Sequence, residues 1–510
     1  MSSAQAAGLW LKSKLPVGAK LTSDSRAVTA GDGFIAFPGL RADGRRYVQA
    51  AFDAGAKVCV FDADFSALSN SDSLLGVNGL RQSAGIVASY FYEQPSLAMN
   101  VVAITGTNGK TSCSHWIAQG LANNTCKAGI LGTLGSGFVD AHGASDLADF
   151  GLTTPDAVSL QHQLSQMLKA GTQHVVMEAS SIGIVQKRIE GTEFAVAVFT
   201  NLTRDHLDVH GSMAAYGQAK AMLFAKPSLR AVVLNLNDAA SGLMLSQVDT
   251  AKPCLTVAYG IASQEIFSLN VQRRVIASDL CVSDLGTAFT LTSEWGNAHI
   301  QLKLHGQFNV SNALAVAATL LSSNIPFDDV CNTLAKLVPI AGRMQKIDTG
   351  GGVCVFVDYA HTPDALSKTL EALAPLARQR HGHLWCVFGA GGDRDPGKRP
   401  EMAKAVQAFA QKIVVTSDNP RSEDPQEIVD QIMAGFAAIS SSVKAISVQS
   451  IIDRAKAVEY AVCNAGNDDV VLIAGKGHET YQEISGVKHS YSDAAVVLGA
   501  ISKKQKASAA

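Results

Sequence analysis

Short runs rich in Val, Ile, Leu and Phe recur along the chain, and stretches of helical spacing lie between them. Val101–Ile104, His174–Met177, Ala195–Phe199, Ala231–Leu234, Val353–Val357, Leu384–Phe388, Ile413–Val415 and Val470–Ile473 are apolar over almost their whole length. A strand covered by protein on both faces reads this way, because side chains on either side of the pleat meet a core. Ser112–Leu121 and Pro363–Leu376 instead space their apolar residues as helices do. The alternation predicts an α/β fold with open, mostly parallel sheets. Three regions differ in texture: 1–97, with its own small α/β pattern; 98–337, more β-like over roughly 255–303; and 338–510, opened by the turn-rich Val338-Pro339-Ile340-Ala341-Gly342. The closing stretch, Lys503–Ala510, reads as a frayed tail.

A chain of 510 residues exceeds what one core organises, so two to four domains are expected. With 47% hydrophobic and 17% charged residues, it is globular and not disordered. A formal net charge of −2 gives no general attraction to nucleic acid or to an acidic membrane surface. No apolar run approaches the ~18 residues of a spanning helix. The opening MSSAQAAGLWLKSKLP lacks the basic then apolar layout of a signal peptide. Cysteines stand at 59, 113, 126, 254, 281, 331, 354, 386 and 463, with no CxxC pair. That odd, scattered set predicts free thiols in a reducing compartment, hence a cytoplasmic protein.

The strongest local chemistry is Thr105-Gly106-Thr107-Asn108-Gly109-Lys110-Thr111-Ser112, between strand Val101–Ile104 and a helical segment. Strand, glycine loop and helix form the setting of a phosphate-binding loop. Glycines let backbone N–H groups approach phosphate oxygens, and the helix start adds partial positive charge. Lys110 is placed for the β- and γ-phosphates of ATP, and Thr111 for Mg²⁺. The full Walker pattern asks for Gly where this chain has Ile104.

TGTNGKTS in that place resembles the Mur ligase family, and further segments extend the resemblance over nearly the whole chain. It implies three domains: a UDP-binding one over 1–97, a central ATPase domain over 98–337 and a Rossmann-like one over 338–510 that binds the incoming amino acid. Glu178 ends the strand His174–Met177, where a carboxylate facing the loop is suited to Mg²⁺; alone it reads as a solvated strand-end acid. The resemblance makes Glu178 and His206, in Thr200-Asn201-Leu202-Thr203-Arg204-Asp205-His206, metal ligands. It gives His206 to a second Mg²⁺ ion and makes Lys220 a carbamylated lysine whose carbamate is an oxygen ligand for Mg²⁺. Apolar neighbours favour the neutral amine that reacts with CO₂, although a lysine snorkelling from a helix reads equally well. Asn309 and Asn312 are then adenine contacts, Arg343 reaches the ATP phosphates and Asp358 the ribose.

By the same resemblance Ser25 and Arg26 lie in the UDP pocket, and Thr153, Thr154, Ser180, Gln186 and Arg188 hold the muramoyl-dipeptide. Asp418-Asn419-Pro420-Arg421 is the string that marks the diaminopimelate-adding, MurE-type branch. Diaminopimelate differs from lysine by a second carboxylate, which an arginine grips with two parallel hydrogen bonds. Lysine would leave that guanidinium unpaired, a difference worth ~10⁴-fold in discrimination. Arg394, Gly475 and Glu479 complete the implied amino-acid pocket. The implied activity is ATP-dependent addition of meso-diaminopimelate to UDP-N-acetylmuramoyl-L-alanyl-D-glutamate through an acyl-phosphate. A lysine-adding or folylpolyglutamate synthase-like ligase is the nearest alternative, and a P-loop ATPase without ligase activity the alternative of another class. The expected partners are these small molecules and ATP, with no nucleic acid or membrane, in a monomer. The chain departs from the family pattern at Ile182, Val209 and Ala494.

Overall fold

The computed structural model describes residues 3–39, 42–122, 127–140, 143–148, 151–283, 285–436 and 446–509. Three sheets, each with its own helices, define N-terminal, central and C-terminal domains of an α/β protein. The first sheet has four parallel strands, Leu21–Thr22, Gly33–Ala36, Val58–Asp62 and Leu74–Val77.

The second sheet has eleven strands. Its parallel centre places Asn100–Thr105 between Val196–Phe199 and His174–Glu178. Antiparallel strands extend both edges: Gly286–Ser293 and Gly296–Leu302 on one side, Gly135–Asp140 and Gly143–Ala148 on the other. Successive residues of the central strand enter different cores. Val102 and Ile104 pack with Trp116 and Val316 on one face, Val101 and Ala103 with Leu160 and Met177 on the other. This two-sided burial is why the strand is continuously apolar.

The third sheet has six strands, ordered Gln345–Ile347, Cys354–Asp358, Val470–Ala474, Leu384–Phe388, Lys412–Val415 and Ser447–Ser450. All pairs are parallel except the first. Val470–Ala474, late in sequence, lies between two earlier strands. The C-terminal ends of the strands therefore bring Asp358, the residues after Phe388, Asp418 and Gly475 to one edge, where ligands of open α/β sheets bind.

All eight strands expected from the apolar runs are present, with ends differing by a residue or so. The C-terminal tail departs from expectation. A helix runs from Asp493 to Ala509. Lys503 pairs with Glu459 at 2.9 Å, and the Lys504 ammonium donates to the Val462 carbonyl at 3.1 Å, near the end of helix Arg454–Asn464. Cations at helix carbonyl ends are favourable, which is why a lysine-rich tail remains helical here. The eight described cysteines are free; Cys126 lies outside the described residues. Among the described residues no helix is long and apolar enough to cross a membrane.

A buried ion pair ties the last helix to the third sheet. Arg454 donates through Nε and Nη2 to Asp493 at 2.9 and 2.7 Å, with both side chains fully buried. Arg454 Nη2 also donates to the Ala474 carbonyl at 2.9 Å, at the strand end beside the candidate site. Removing one partner strands a buried charge, so Asp493→Ala should destabilise the C-terminal domain by about 3–5 kcal/mol. Denaturant unfolding followed by a C-terminal fluorophore measures this. A loss under about 1 kcal/mol would mean the pair does not hold the helix in place.

Candidate active site

The phosphate loop joins strand Asn100–Thr105 to helix Lys110–Leu121. Gly109 is at φ 85, and a Cβ there would lie 2.4 Å from Asn312 Oδ1, so the turn needs glycine on two counts. Asn312 thus packs directly on the loop. Asn309, a turn earlier on helix Gln307–Ser322, donates from Nδ2 to the His305 carbonyl at 2.9 Å. Lys110 Nζ bends back onto the Gly106 and Thr107 carbonyls at 2.8 and 2.9 Å. Asn108 takes an N–H···O bond from its own backbone to Asn201 Oδ1 at 2.9 Å, and its carbonyl accepts from Thr200 Oγ1 at 2.6 Å. Ser112 is buried in the first turn of the helix.

Glu178 is 1% exposed and receives hydrogen bonds from three sources. Thr111 Oγ1 donates to Oε1 at 3.0 Å, the Thr133 N–H to Oε1 at 2.8 Å and Thr133 Oγ1 to Oε2 at 3.1 Å. Arg343 Nη2, from the segment ahead of the third sheet, donates to Thr111 Oγ1 at 3.1 Å. The next residues form a continuous strip. Thr133 and Thr153 hydroxyls are 3.1 Å apart, and Thr154 Oγ1 donates to the Glu178 carbonyl at 2.9 Å. Ser180 N–H donates to Thr154 Oγ1 at 3.0 Å. Arg188 Nη1 donates to the Thr154 carbonyl at 2.9 Å and is braced by Gln186 Oε1 at 2.6 Å. Ile182 is half-buried on the short helix that Ser180 caps.

Lys220 is 1% exposed, and its Nζ stands 4.2 Å from the centre of the Tyr216 ring. Burial, with Lys110 nearby, holds its amine well below the usual lysine range. Tyr216 Oη in turn lies 3.2 Å from Thr107 Oγ1 of the loop. His206 is at φ 54, and partial burial pushes its imidazole down to about 4, so it is neutral at physiological pH, the form that ligates metals. Asp205 Oδ2 lies 3.6 Å from His206 Nε2 and 3.9 Å from His361 Nε2. Among the described residues no three His, Cys, Asp or Glu side chains form a metal cage. The donors present are a threonine hydroxyl, one buried carboxylate, a neutral imidazole and a buried lysine. The two oxygen donors fit Mg²⁺, which keeps waters and binds through phosphates rather than a full protein shell. Lys220 fits only as a carbamate, since a bare amine offers Mg²⁺ no oxygen.

Asp358 accepts from the Met344 N–H at 2.6 Å and the Ala360 N–H at 2.8 Å. Its carboxylate thus holds the entry to the third sheet, with lone pairs left over for a further donor.

The loops bearing Arg394 and Arg421 are stitched together. Gly392 N–H donates to the Asn419 carbonyl at 2.9 Å, and Arg421 Nη1 to the Gly392 carbonyl at 2.6 Å. Asp393 and Arg421 both have positive φ, 54 and 53, conformations that non-glycine residues keep only where the surroundings impose them. Pro420 sits inside this turn, between Asn419 and Arg421. Arg394 is exposed. Asn419 Nδ2 donates to Glu479 Oε2 at 2.8 Å, and Asp418 lies beside Gly475 at the sheet edge. Ser25 and Arg26 stand apart on the first domain, in the turn Ser25–Ala27, where Arg26 is exposed and paired with Asp24 at 2.7 Å.

Two residues not singled out from the sequence matter here. Thr133 holds Glu178 from a strand end. Lys476, fully buried, donates to Asn419 Oδ1 and Glu479 Oε2, both at 2.9 Å, and stands 3.6 Å from Asp418 Oδ1. It orients three of the expected amino-acid contacts at once. Its only sequence signal was a place in the string Gly475–Glu479.

Fold and loop define a nucleotide-binding α/β protein with a phosphate loop. Family comparison agrees over three stretches: Mur ligase family, catalytic domain, at 19–78; Mur ligase middle domain at 104–320; and Mur ligase, glutamate ligase domain at 342–477. A UDP-N-acetylmuramoyl-L-alanyl-D-glutamate–2,6-diaminopimelate ligase of Ralstonia nicotianae is 44% identical over 491 residues, 95% of this chain and 93% of that one. The protein of the same name from a Janthinobacterium strain is 43% identical over 495 residues, 95% and 94% of the two chains. A solved structure of a ligase of that name superimposes with a TM-score of 0.65 at 34% identity, covering 95% of both chains. The chain belongs to the Mur ligase family.

Lys476→Met keeps the length of the side chain and removes its charge. It should raise the KM for the amino-acid substrate at least about tenfold, because Asn419 and Glu479 lose their common anchor. Steady-state kinetics with the amino acid varied checks this; an unchanged KM would show that the two side chains keep their places without it.

Proposed function

We propose that the chain is the ATP-dependent ligase that joins meso-2,6-diaminopimelate to the D-glutamate γ-carboxylate of UDP-N-acetylmuramoyl-L-alanyl-D-glutamate. It is an acid–amino-acid ligase of peptidoglycan precursor synthesis, as its 44%-identical relative's name indicates. The observation that carries the choice of amino acid is the Arg421 turn. The guanidinium is fixed by the Gly392 carbonyl beside an exposed Arg394, with the Lys476–Asn419–Glu479 network behind it. Two arginines and a carboxylate suit a substrate with two carboxylates and two ammonium groups.

The γ-carboxylate attacks the γ-phosphorus of ATP; the bond to the bridging oxygen breaks, ADP leaves and an acyl-phosphate forms. The amine of diaminopimelate attacks the acyl carbon, loses a proton, and phosphate leaves with the bonding pair. No protein nucleophile takes part, so positioning and electrostatics supply the catalysis. Lys110 and Arg343 neutralise charge on the phosphates. The strip from Thr153 to Arg188 holds the acceptor carboxylate beside the loop, and Ser25 and Arg26 hold the uridine end. Asn309 and Asn312 face the base, and Asp358 the ribose. Thr111, Glu178, His206 and a carbamate on Lys220 would hold two Mg²⁺ ions, His206 serving the second, and the metal would supply charge neutralisation. Domains over 1–97, 98–337 and 338–510 then carry the uridine, ATP and amino-acid sites, in a cytoplasmic monomer.

The decisive assay is phosphate release by purified protein with Mg-ATP and UDP-N-acetylmuramoyl-L-alanyl-D-glutamate, with meso-diaminopimelate or L-lysine in parallel. Turnover should occur with diaminopimelate and be slower by at least about a hundredfold with lysine. Lysine as the better substrate would overturn the role of Arg421. Lys110→Ala should lower kcat by about a thousandfold or more. Carbamylation has a readout of its own: protein in ¹³C-bicarbonate should give a carbamate carbonyl resonance, absent from Lys220→Ala. The amine must be neutral to react, so the resonance should grow as pH rises through the depressed lysine pKa.

A further inference from the structure

Arg204 lies outside every binding role assigned above, yet it makes three hydrogen bonds from the central to the C-terminal domain. Its Nε and Nη2 both reach Asp395 Oδ2, at 3.2 and 3.1 Å, and Nη1 reaches Glu401 Oε1 at 2.9 Å. The two carboxylates come from one short stretch. Asp395 directly follows Arg394, and Glu401 is in the first turn of helix Lys398–Gln407. Space is left for the guanidinium, because a Cβ on Gly397 would lie 2.7 Å from Arg204 Nη2. Asp395 also accepts the Gly397 N–H at 2.9 Å, which fixes its carboxylate towards the arginine. On its own side Arg204 precedes Asp205 and His206, whose loop begins at the phosphate loop through Thr107, where Thr107 Oγ1 accepts the Thr203 N–H at 3.0 Å.

We propose that Arg204 is a positioning residue that clamps the amino-acid loop of the C-terminal domain onto the phosphate-side loop of the central domain. Arg394 and the incoming amine are thereby set in register with the acyl-phosphate. The proposal rests on the ligase reading for its kinetic consequence but not for the contact itself. Other contacts cross the same boundary: Asn108 Nδ2 donates to Asp364 Oδ2 at 3.0 Å, and Arg343 to Thr111. Both of those touch the nucleotide loop. Arg204 alone among them leads to the amino-acid loop, so its loss should be felt by one substrate and not the other.

The test uses the full-length enzyme. Arg204→Ala should raise the KM for diaminopimelate about tenfold while the KM for ATP stays within about twofold. Arg204→Lys should recover a good part of the loss. The double variant Arg204→Ala with Asp395→Asn should be no worse than Arg204→Ala alone, because both remove the same contact. Small-angle scattering with MgADP present should show a larger radius of gyration for Arg204→Ala than for the wild type. Losses that multiply in the double variant, or an Arg204→Ala protein with wild-type KM and wild-type dimensions, would overturn the clamp. Should the wild type show no ligase activity, the reading of function fails. Scattering of Arg204→Ala, and of Glu401→Gln if Arg204→Ala does not fold, then decides the clamp by itself.

Discussion

The phosphate end of the site depends on one buried carboxylate. Glu178 is held at the end of a parallel strand, beside the loop and 1% exposed. An ionised carboxylate in such a place is costly unless donors surround it. Here the donors are the Thr111 hydroxyl and two groups of Thr133. Satisfying Glu178 therefore fixes the loop, the strand end at Thr133 and, through the Glu178 carbonyl, Thr154. The acceptor strip and the phosphate loop have a common origin in this requirement. Arg343 joins the set through Thr111, so the linker to the C-terminal domain is tied to the same point.

The amino-acid end follows a similar logic with the signs exchanged. Lys476 is a fully buried ammonium, and its partners Asn419, Glu479 and Asp418 are the groups that the resemblance places around the substrate. A buried cation must be met by acceptors, and meeting it fixes their orientation before substrate arrives. Preorganisation of this kind lowers the ordering that binding would otherwise require.

Much of the fold was legible in the sequence because its centre is parallel and two-sided. Val101–Ile104 or Val470–Ile473 can be read as strands from composition alone, since both faces are buried. The phosphate loop was legible because glycine, lysine and threonine must follow a strand at fixed spacing. The antiparallel edge at Gly135–Asp140 was not, because small and polar residues carry little period, whereas the opposite edge lies within the β-like stretch 255–303. The tail helix was missed because its stability comes from contacts with helix Arg454–Asn464, not from its own composition. The contacts of Arg204 and Thr133 join segments up to about two hundred residues apart, and no local pattern encodes such a pair.

The two charged ends must also be kept at a fixed separation, since an amine has to meet an acyl-phosphate held by another domain. The sheets cannot do this, because each closes on its own core. The task falls to a few polar contacts across the boundary, and the Arg204–Glu401 pair among them is partly exposed, its side chains at 39% and 42%. Exposed pairs are individually weak and are screened by salt. Weakness is no bar to the role, because ligands that contact both domains add their own binding energy to the same arrangement. Strong, buried pairs such as Arg454–Asp493 are kept inside one domain, and weak ones are used between domains. That division keeps the fold of the C-terminal domain independent of the contacts that position it.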